Sequence, residues 1–225
     1  PLLRKLPEFE ILQEIWSARV PIVKLKFLGL VDVDLSCHNP QALQNTNLMR
    51  SYSLLSEKLR NLVLSVKCWA KAEGVVGAPL GHLSSYSLAL MAIYFLQVEP
   101  EFAMPCLPTD YFSSHGANPE VDSYAWACAA PLTDLVAGFF RFYAADFRWG
   151  SEVVSVRVGK RATAGDPGFS SLPGRTGARL HVEDPFLPRN LNCVLSPESE
   201  QILKTKIQQA DGIIRSGEVP RAFLQ

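Results

Sequence analysis

Asp32 and Asp34 stand two apart in a run of Val and Leu. On a strand that spacing puts both carboxylates on one face, a usual way to hold a Mg²⁺ ion that also takes phosphate oxygens; the structural alternative is a pair turned to solvent. Lys67 and Lys71 stand four apart, on one face of a helix, where like charges cost about 0.2–0.5 kcal/mol. A polyphosphate between them removes that cost, and a solvated basic face is the plainer use. Ser84-Ser85-Tyr86 combines hydroxyls and helix-start N–H groups, which suit an anion, with a ring that can stack on a base. Helix capping beside a core tyrosine serves equally. Glu183-Asp184-Pro185-Phe186 offers acceptors for a base or ribose, or an ordinary Asx-type turn. Arg141 lies among Phe139, Phe140, Phe142 and Tyr143, placed to grip a nucleic-acid backbone or to snorkel from a core helix.

These side chains need elements to position them. Val20 to Phe27 and Leu30 to Leu35 read as neighbouring strands around a turn at Gly29, with Ala18 and Arg19 leading in and only a short loop separating them from Leu2 to Leu6. From Asn45 to Gly74 the apolar residues Leu48, Tyr52, Leu55, Leu59, Leu62, Val66 and Trp69 recur at helical steps. A second helical run, Leu88 to Leu96, is capped from Ser84-Ser85, and residues 99–130 read as a long surface connection. Pro131 to Phe147 reads as helix and Glu152 to Val158 as a half-buried strand. A Gly/Ser/Pro/Thr-rich bulge from Gly159 to Gly177, a short strand from Ala178 to Val182 and a last helix from Pro197 to about Arg215 complete the chain.

The bulk properties narrow the classes. With 225 residues, 48% apolar and 20% charged, the chain is a folding, globular one rather than a disordered one. Twenty-two basic residues balance twenty-two acidic ones, so any nucleic-acid site is a local patch. Five cysteines without a CxxC pair, and four histidines at no zinc spacing from them, point to a reducing compartment and no structural zinc. The longest apolar runs fall short of the roughly 20 residues a membrane helix needs, and no signal peptide opens the chain. The abrupt start without Met reads as a fragment of a longer polypeptide.

Taken in order, Ala18-Arg19-Val20-Pro21-Ile22-Val23-Lys24, Asp34-Leu35-Ser36, Asn45-Thr46, Val66-Lys67-Cys68-Trp69-Ala70-Lys71, Gly81-His82-Leu83-Ser84-Ser85-Tyr86, Phe139-Phe140-Arg141-Phe142-Tyr143-Ala144 and Glu183-Asp184-Pro185-Phe186 resemble one family. It is that of the terminal uridylyltransferases and their poly(A) polymerase relatives, in the DNA polymerase β-like nucleotidyltransferase superfamily. The resemblance implies an α+β fold. Residues 1–40 end the mixed nucleotidyltransferase (palm) sheet, and residues 41–225 form a mainly helical nucleotide-binding domain, with the active site in the cleft between them.

It also implies chemistry: template-independent addition of uridylates from UTP to an RNA 3′ end with two divalent ions, Mg²⁺ or Mn²⁺. Asp34 matches the third of three catalytic carboxylates and a metal ligand, and Asp32 matches none. The first two, in Gly-Ser and Asp-x-Asp motifs, lie upstream in the family and are absent from this sequence. Ala42, Asn45 and Thr46 fall in the ribose-facing segment, Lys67 and Lys71 hold the triphosphate, Ser85 bonds a phosphate and Tyr86 stacks on the base. Asp184 accepts from uracil N3–H, and Arg141 meets the RNA. A histidine that follows Asp-Pro-Phe in cytoplasmic relatives is replaced by Leu187-Pro188-Arg189-Asn190. That departure resembles the trypanosomatid mitochondrial RNA-editing branch and implies a mitochondrial location, with cytoplasm as the alternative, and an RNA-processing complex as partner. The rivals are a poly(A) polymerase using ATP and an inactive scaffold that binds RNA or protein.

Overall fold

Three strands, β1 (Phe9–Ile15), β2 (Ile22–Phe27) and β3 (Val31–Ser36), pair antiparallel in the order β1-β2-β3. The computed structural model describes residues 3–17, 20–112, 124–169, 179–220 and 223. It divides into two compact units, residues 1–46 and 47–225.

In the first unit the β2–β3 hairpin turns where the sequence places Gly29. Leu30 N donates to Phe27 O at 3.0 Å, and both central residues are left-handed, Leu28 at φ 49° and Gly29 at φ 69°. That is the handedness of a type I′ turn, whose twist suits a hairpin. Strand β1 replaces the loop expected after Leu6. Its alternation of Phe9, Ile11 and Ile15 is interrupted by a register shift between Ile11 and Gln13, which hid its period in the sequence. Helix α1 (Pro40–Leu55) begins before the expected Asn45. Asn39 Oδ1 accepts from Ala42 N at 3.2 Å and proline stands at its start, a pairing that opens helices.

The second unit is built on α2 (Glu57–Ala72), α3 (Ser85–Val98), α4 (Leu132–Arg141) and α5 (Pro197–Arg215). The single helical run expected through residue 74 breaks at Ser56, whose hydroxyl caps α2 by accepting from Lys58 N at 3.2 Å. Helix α3 is apolar on every side and buried from Ser87 to Gln97, so it forms the centre of the core. Its own Tyr94 and Phe95 join Trp69, Phe139, Phe140, Phe142 and Tyr143 in that core, almost wholly buried. The helix expected to Phe147 is α-helical only to Arg141. Phe142–Asp146 continues as a π-helical turn, and Phe147 N bonds Phe142 O at 2.7 Å.

Two short strands, β4 (Val153–Val154) and β5 (His181–Val182), pair in parallel. Both are buried and shorter than the alternating runs expected at 152–158 and 178–182; the first turns away after Val154, where Gly159 N donates to Ser155 O at 3.0 Å. Buried ion pairs flank them. Glu152 accepts from Tyr94 Oη at 2.8 Å and from Arg161 Nε and Nη2 at 3.0 Å. Of the expected surface bulge, Ala164 and Phe169 are instead buried in a small second cluster with Val153. Residues 170–178 lie outside the described residues, as do 113–123 of the long connection and Ala18 and Arg19. Among the described residues no helix is long and apolar enough to cross a membrane.

Candidate nucleotide-binding site

In the first unit, Asp32 and Asp34 share the exposed face of β3. Asp32 sits opposite Lys26 and pairs with its ammonium at 3.2 Å, the solvent-facing role. Asp34 lies opposite Lys24 in the ladder and is exposed. No group of three possible metal ligands occurs among the described residues. Asp34 offers one hard oxygen donor of the kind Mg²⁺ takes, but these residues alone do not make up a Mg²⁺ or Mn²⁺ site. Ala42, Asn45 and Thr46 lie on consecutive turns of α1. Ala42 and Thr46 are exposed, and half-buried Asn45 accepts from Gln41 Nε2 at 3.3 Å.

In the second unit, Lys67 is half-buried and Lys71 exposed, one turn apart on α2. No ion pair engages either among the described residues, whereas nearby Glu73 is taken by Lys206 at 2.8 Å. The Gly81-to-Tyr86 segment is held from both ends. Gly77 N donates to Leu83 O at 2.9 Å, and Ser196 N, at the start of α5, donates to Gly81 O at 3.2 Å. Ser84 is the cap of α3, its hydroxyl accepting from Ser87 N at 3.1 Å. The capping reading therefore belongs to Ser84. Ser85 begins α3 exposed to solvent, beside N–H groups that have no helical partner.

Tyr86 and Asp184, far apart in sequence, come together. Burial first, then the Asp184 charge, pushes the Tyr86 hydroxyl well above its ordinary pKa, with Arg189 opposing. Both acids of the Glu183-Asp184 pair are engaged. Glu183 accepts from Ser155 Oγ, and Arg157 Nε donates to it at 3.2 Å. Asp184 Oδ1 accepts from Phe186 N at 3.0 Å and Leu187 N at 3.2 Å, which is the Asx-type turn. Its Oδ2 accepts from Arg189 Nε at 2.7 Å. Arg189 was not singled out by its residue type. An arginine five residues after an acid in a proline turn has no periodicity to betray it. Arg141 is exposed at the end of α4, while Phe139, Phe140 and Phe142 beside it are core.

Comparison with known proteins bears on the family and the fold. Residues 131–190 match the profile "Cid1 family poly A polymerase", and residues 1–54 match "Poly(A) RNA polymerase, mitochondrial-like, central palm domain". Poly(A) RNA polymerase GLD2-A of Xenopus laevis is 36% identical over 210 residues, 88% of this chain and 40% of its own length. The chain thus spans less than half the length of that relative. The crystal structure of the Cid1 poly(U) polymerase superposes with a TM-score of 0.76 at 27% identity, covering 95% of this chain and 70% of the other. Cid1 in complex with the UTP analogue UMPNPP gives 0.75 at 26%, covering 94% and 70%. The α+β architecture is that of the nucleotidyltransferase superfamily. The chain belongs to its Cid1 family of poly(A)/poly(U) polymerases.

Proposed function

We propose that the protein containing this chain adds ribonucleotides to RNA 3′ ends without a template. The observation that carries the reading is the meeting of the α3 start, Ser84 to Tyr86, with the Asp184 turn. On this reading Tyr86 is the stacking ring, Asp184 the polar edge-reader, and the start of α3 the end suited to phosphate. Lys67 and Lys71 hold the triphosphate, Ser85 adds a phosphate hydrogen bond, and Asn45 with Ala42 and Thr46 faces the ribose. Asp34 would contribute one ligand to the divalent ions. When bound, those ions would supply the activation of the attacking hydroxyl and the charge for the leaving pyrophosphate.

Two bases have specific support. Uridylate, the base that the Asp184 segment implies, is supported by the solved Cid1 structures, one described as a poly(U) polymerase and one holding a UTP analogue. Adenylate, the alternative, is supported by the GLD2 relative and by the engagement of Asp184 with Arg189. Within the uridylate reading, the altered loop after Phe186 supports the trypanosomatid editing branch. The mitochondrial-like palm profile supports a mitochondrial location, with cytoplasm as the alternative, and subcellular fractionation tests it. Extension of a labelled RNA by each of the four ribonucleotides, with Mg²⁺ or Mn²⁺ and an Asp34→Ala control, tests the function. Extension lost in the control supports nucleotidyl transfer, and the nucleotide used identifies the base. No extension by any nucleotide favours the inactive scaffold.

A further inference from the structure

The Asp184 side chain is wholly buried, at 0% exposure, whereas that of Arg189 is 34% exposed. Oδ1 serves the turn, accepting from Phe186 N and Leu187 N. Oδ2 takes Arg189 Nε at 2.7 Å, with Nη2 at 2.7 Å from the same oxygen. Three hydrogen-bond donors and the charge of Nη2 thus converge on a carboxylate that has about four lone-pair sites. A further donor, such as uracil N3–H, competes with them. The guanidinium carries five N–H groups, of which Nε–H is committed to Asp184. Both charges act on the hydroxyl of Tyr86, the residue proposed to stack on the base.

We propose that Arg189 selects the base: it withdraws from Asp184 the acceptor that uracil N3–H requires, and it turns a donor toward the ring acceptor N1 of adenine. The inference rests on the nucleotide-binding reading above and adds to it the residue that decides between the two bases. A guanidinium N–H facing uracil N3–H leaves both donors unpaired, while the same N–H facing adenine N1 is satisfied. Backbone hydrogen bonds also hold the loop. Asp184 N donates to Arg189 O at 3.0 Å, and Arg189 N to Leu187 O at 2.7 Å, through the backbone alone.

The test uses the full-length protein with a labelled RNA, comparing kcat/KM for UTP and ATP in wild type, Arg189→Met and Arg189→Lys. Methionine keeps most of the length and removes every donor, whereas lysine keeps the charge as a single point donor. The UTP-to-ATP ratio is expected to rise about tenfold or more in Arg189→Met, and less in Arg189→Lys. A ratio within twofold of wild type in both variants overturns the inference. Should Arg189→Met fail to fold, by circular dichroism, Arg189→Lys carries the test alone: a rise of about threefold supports the proposal and an unchanged ratio overturns it. Should wild type extend RNA with no nucleotide, the transfer reading fails. Calorimetric titration of UTP and ATP into the same proteins then decides the role of Arg189, by whether their relative affinity moves toward UTP.

Discussion

Lys67 and Lys71 carry a charge repulsion that the fold does not use. They stand one turn apart on α2, Lys67 half-buried and Lys71 exposed, with no ion pair to either among the described residues, so their removal separates binding from stability. Lys67→Ala and Lys71→Ala are each expected to raise KM for the nucleoside triphosphate by about tenfold or more, the loss of one charge-assisted hydrogen bond. Thermal stability should stay level or rise by a few tenths of a kcal/mol, since the like-charge pair is relieved. Steady-state extension kinetics and a melting curve check the two halves, and an unchanged KM removes both lysines from the triphosphate site. Glu99 is the opposite case, an acid at the C-terminal end of α3 beside Asp146 and Glu101. Burial first, then Asp146, holds its carboxyl above the ordinary glutamate range. The folded state therefore binds this proton more tightly than the unfolded state does. Stability falls as pH rises from that ordinary range, about 4.3, through the raised folded value, and the penalty stays constant above it. Glu99→Gln should raise the urea midpoint at pH 7.5 and lose that gain near pH 4; a gain that persists at pH 4 points to packing, not charge. At this scale the sequence disclosed the groups proposed to meet a nucleotide, because Lys67, Lys71, Ser85 and Tyr86 sit at helical spacing and at a cap. It hid the partners of Asp184 and Glu183, because Arg189 and Arg157 reach them across irregular loops.

The elements were legible where one period ran unbroken. Helix α5, from Pro197 to Arg215, starts and ends where its cap, its proline and Gly217 direct. Strand β1 was not legible, because its register shift breaks the alternation, and β4 stops at two residues because the chain turns at Ser155–Gly159, a turn that the alternating side chains do not announce. The π-helical turn at Phe142–Asp146 follows the same logic, since its aromatic residues satisfy the α-helical period equally well. The β2–β3 hairpin supplies a prediction. Leu28 holds φ at 49° although its side chain is 59% exposed, so a branched residue bears left-handed strain with little burial in return. Asparagine before glycine is the preferred pair for such a turn. Leu28→Asn should stabilise the sheet unit by about 1 kcal/mol, or about 2–4 °C in the thermal midpoint. Differential scanning calorimetry checks this, and a lower midpoint would show that the Leu28 side chain earns its place by a contact.

At the scale of the whole molecule, charge sets how RNA can be held. Twenty-two basic and twenty-two acidic residues cancel, so this chain offers no long-range attraction to a polyanion. Each phosphate contact must then come from an individually placed cation. Arg141 is such a residue: it ends α4 exposed to solvent, and its aromatic neighbours, buried in the core, fix the helix that carries it. For single-stranded nucleic acid, each neutralised phosphate contributes about 0.7 to the slope of log affinity against log salt. If Arg141 meets the RNA backbone, Arg141→Ala in the full-length protein should weaken binding of a labelled single-stranded RNA at low salt. It should also make that slope shallower by about 0.7, with equal effect on different RNA sequences, because a phosphate contact carries no base information. The two titrations converge at high salt, where the counterion term vanishes. A slope equal to wild type would place Arg141 outside the RNA path and leave its guanidinium the structural role of a snorkelling side chain on a core helix.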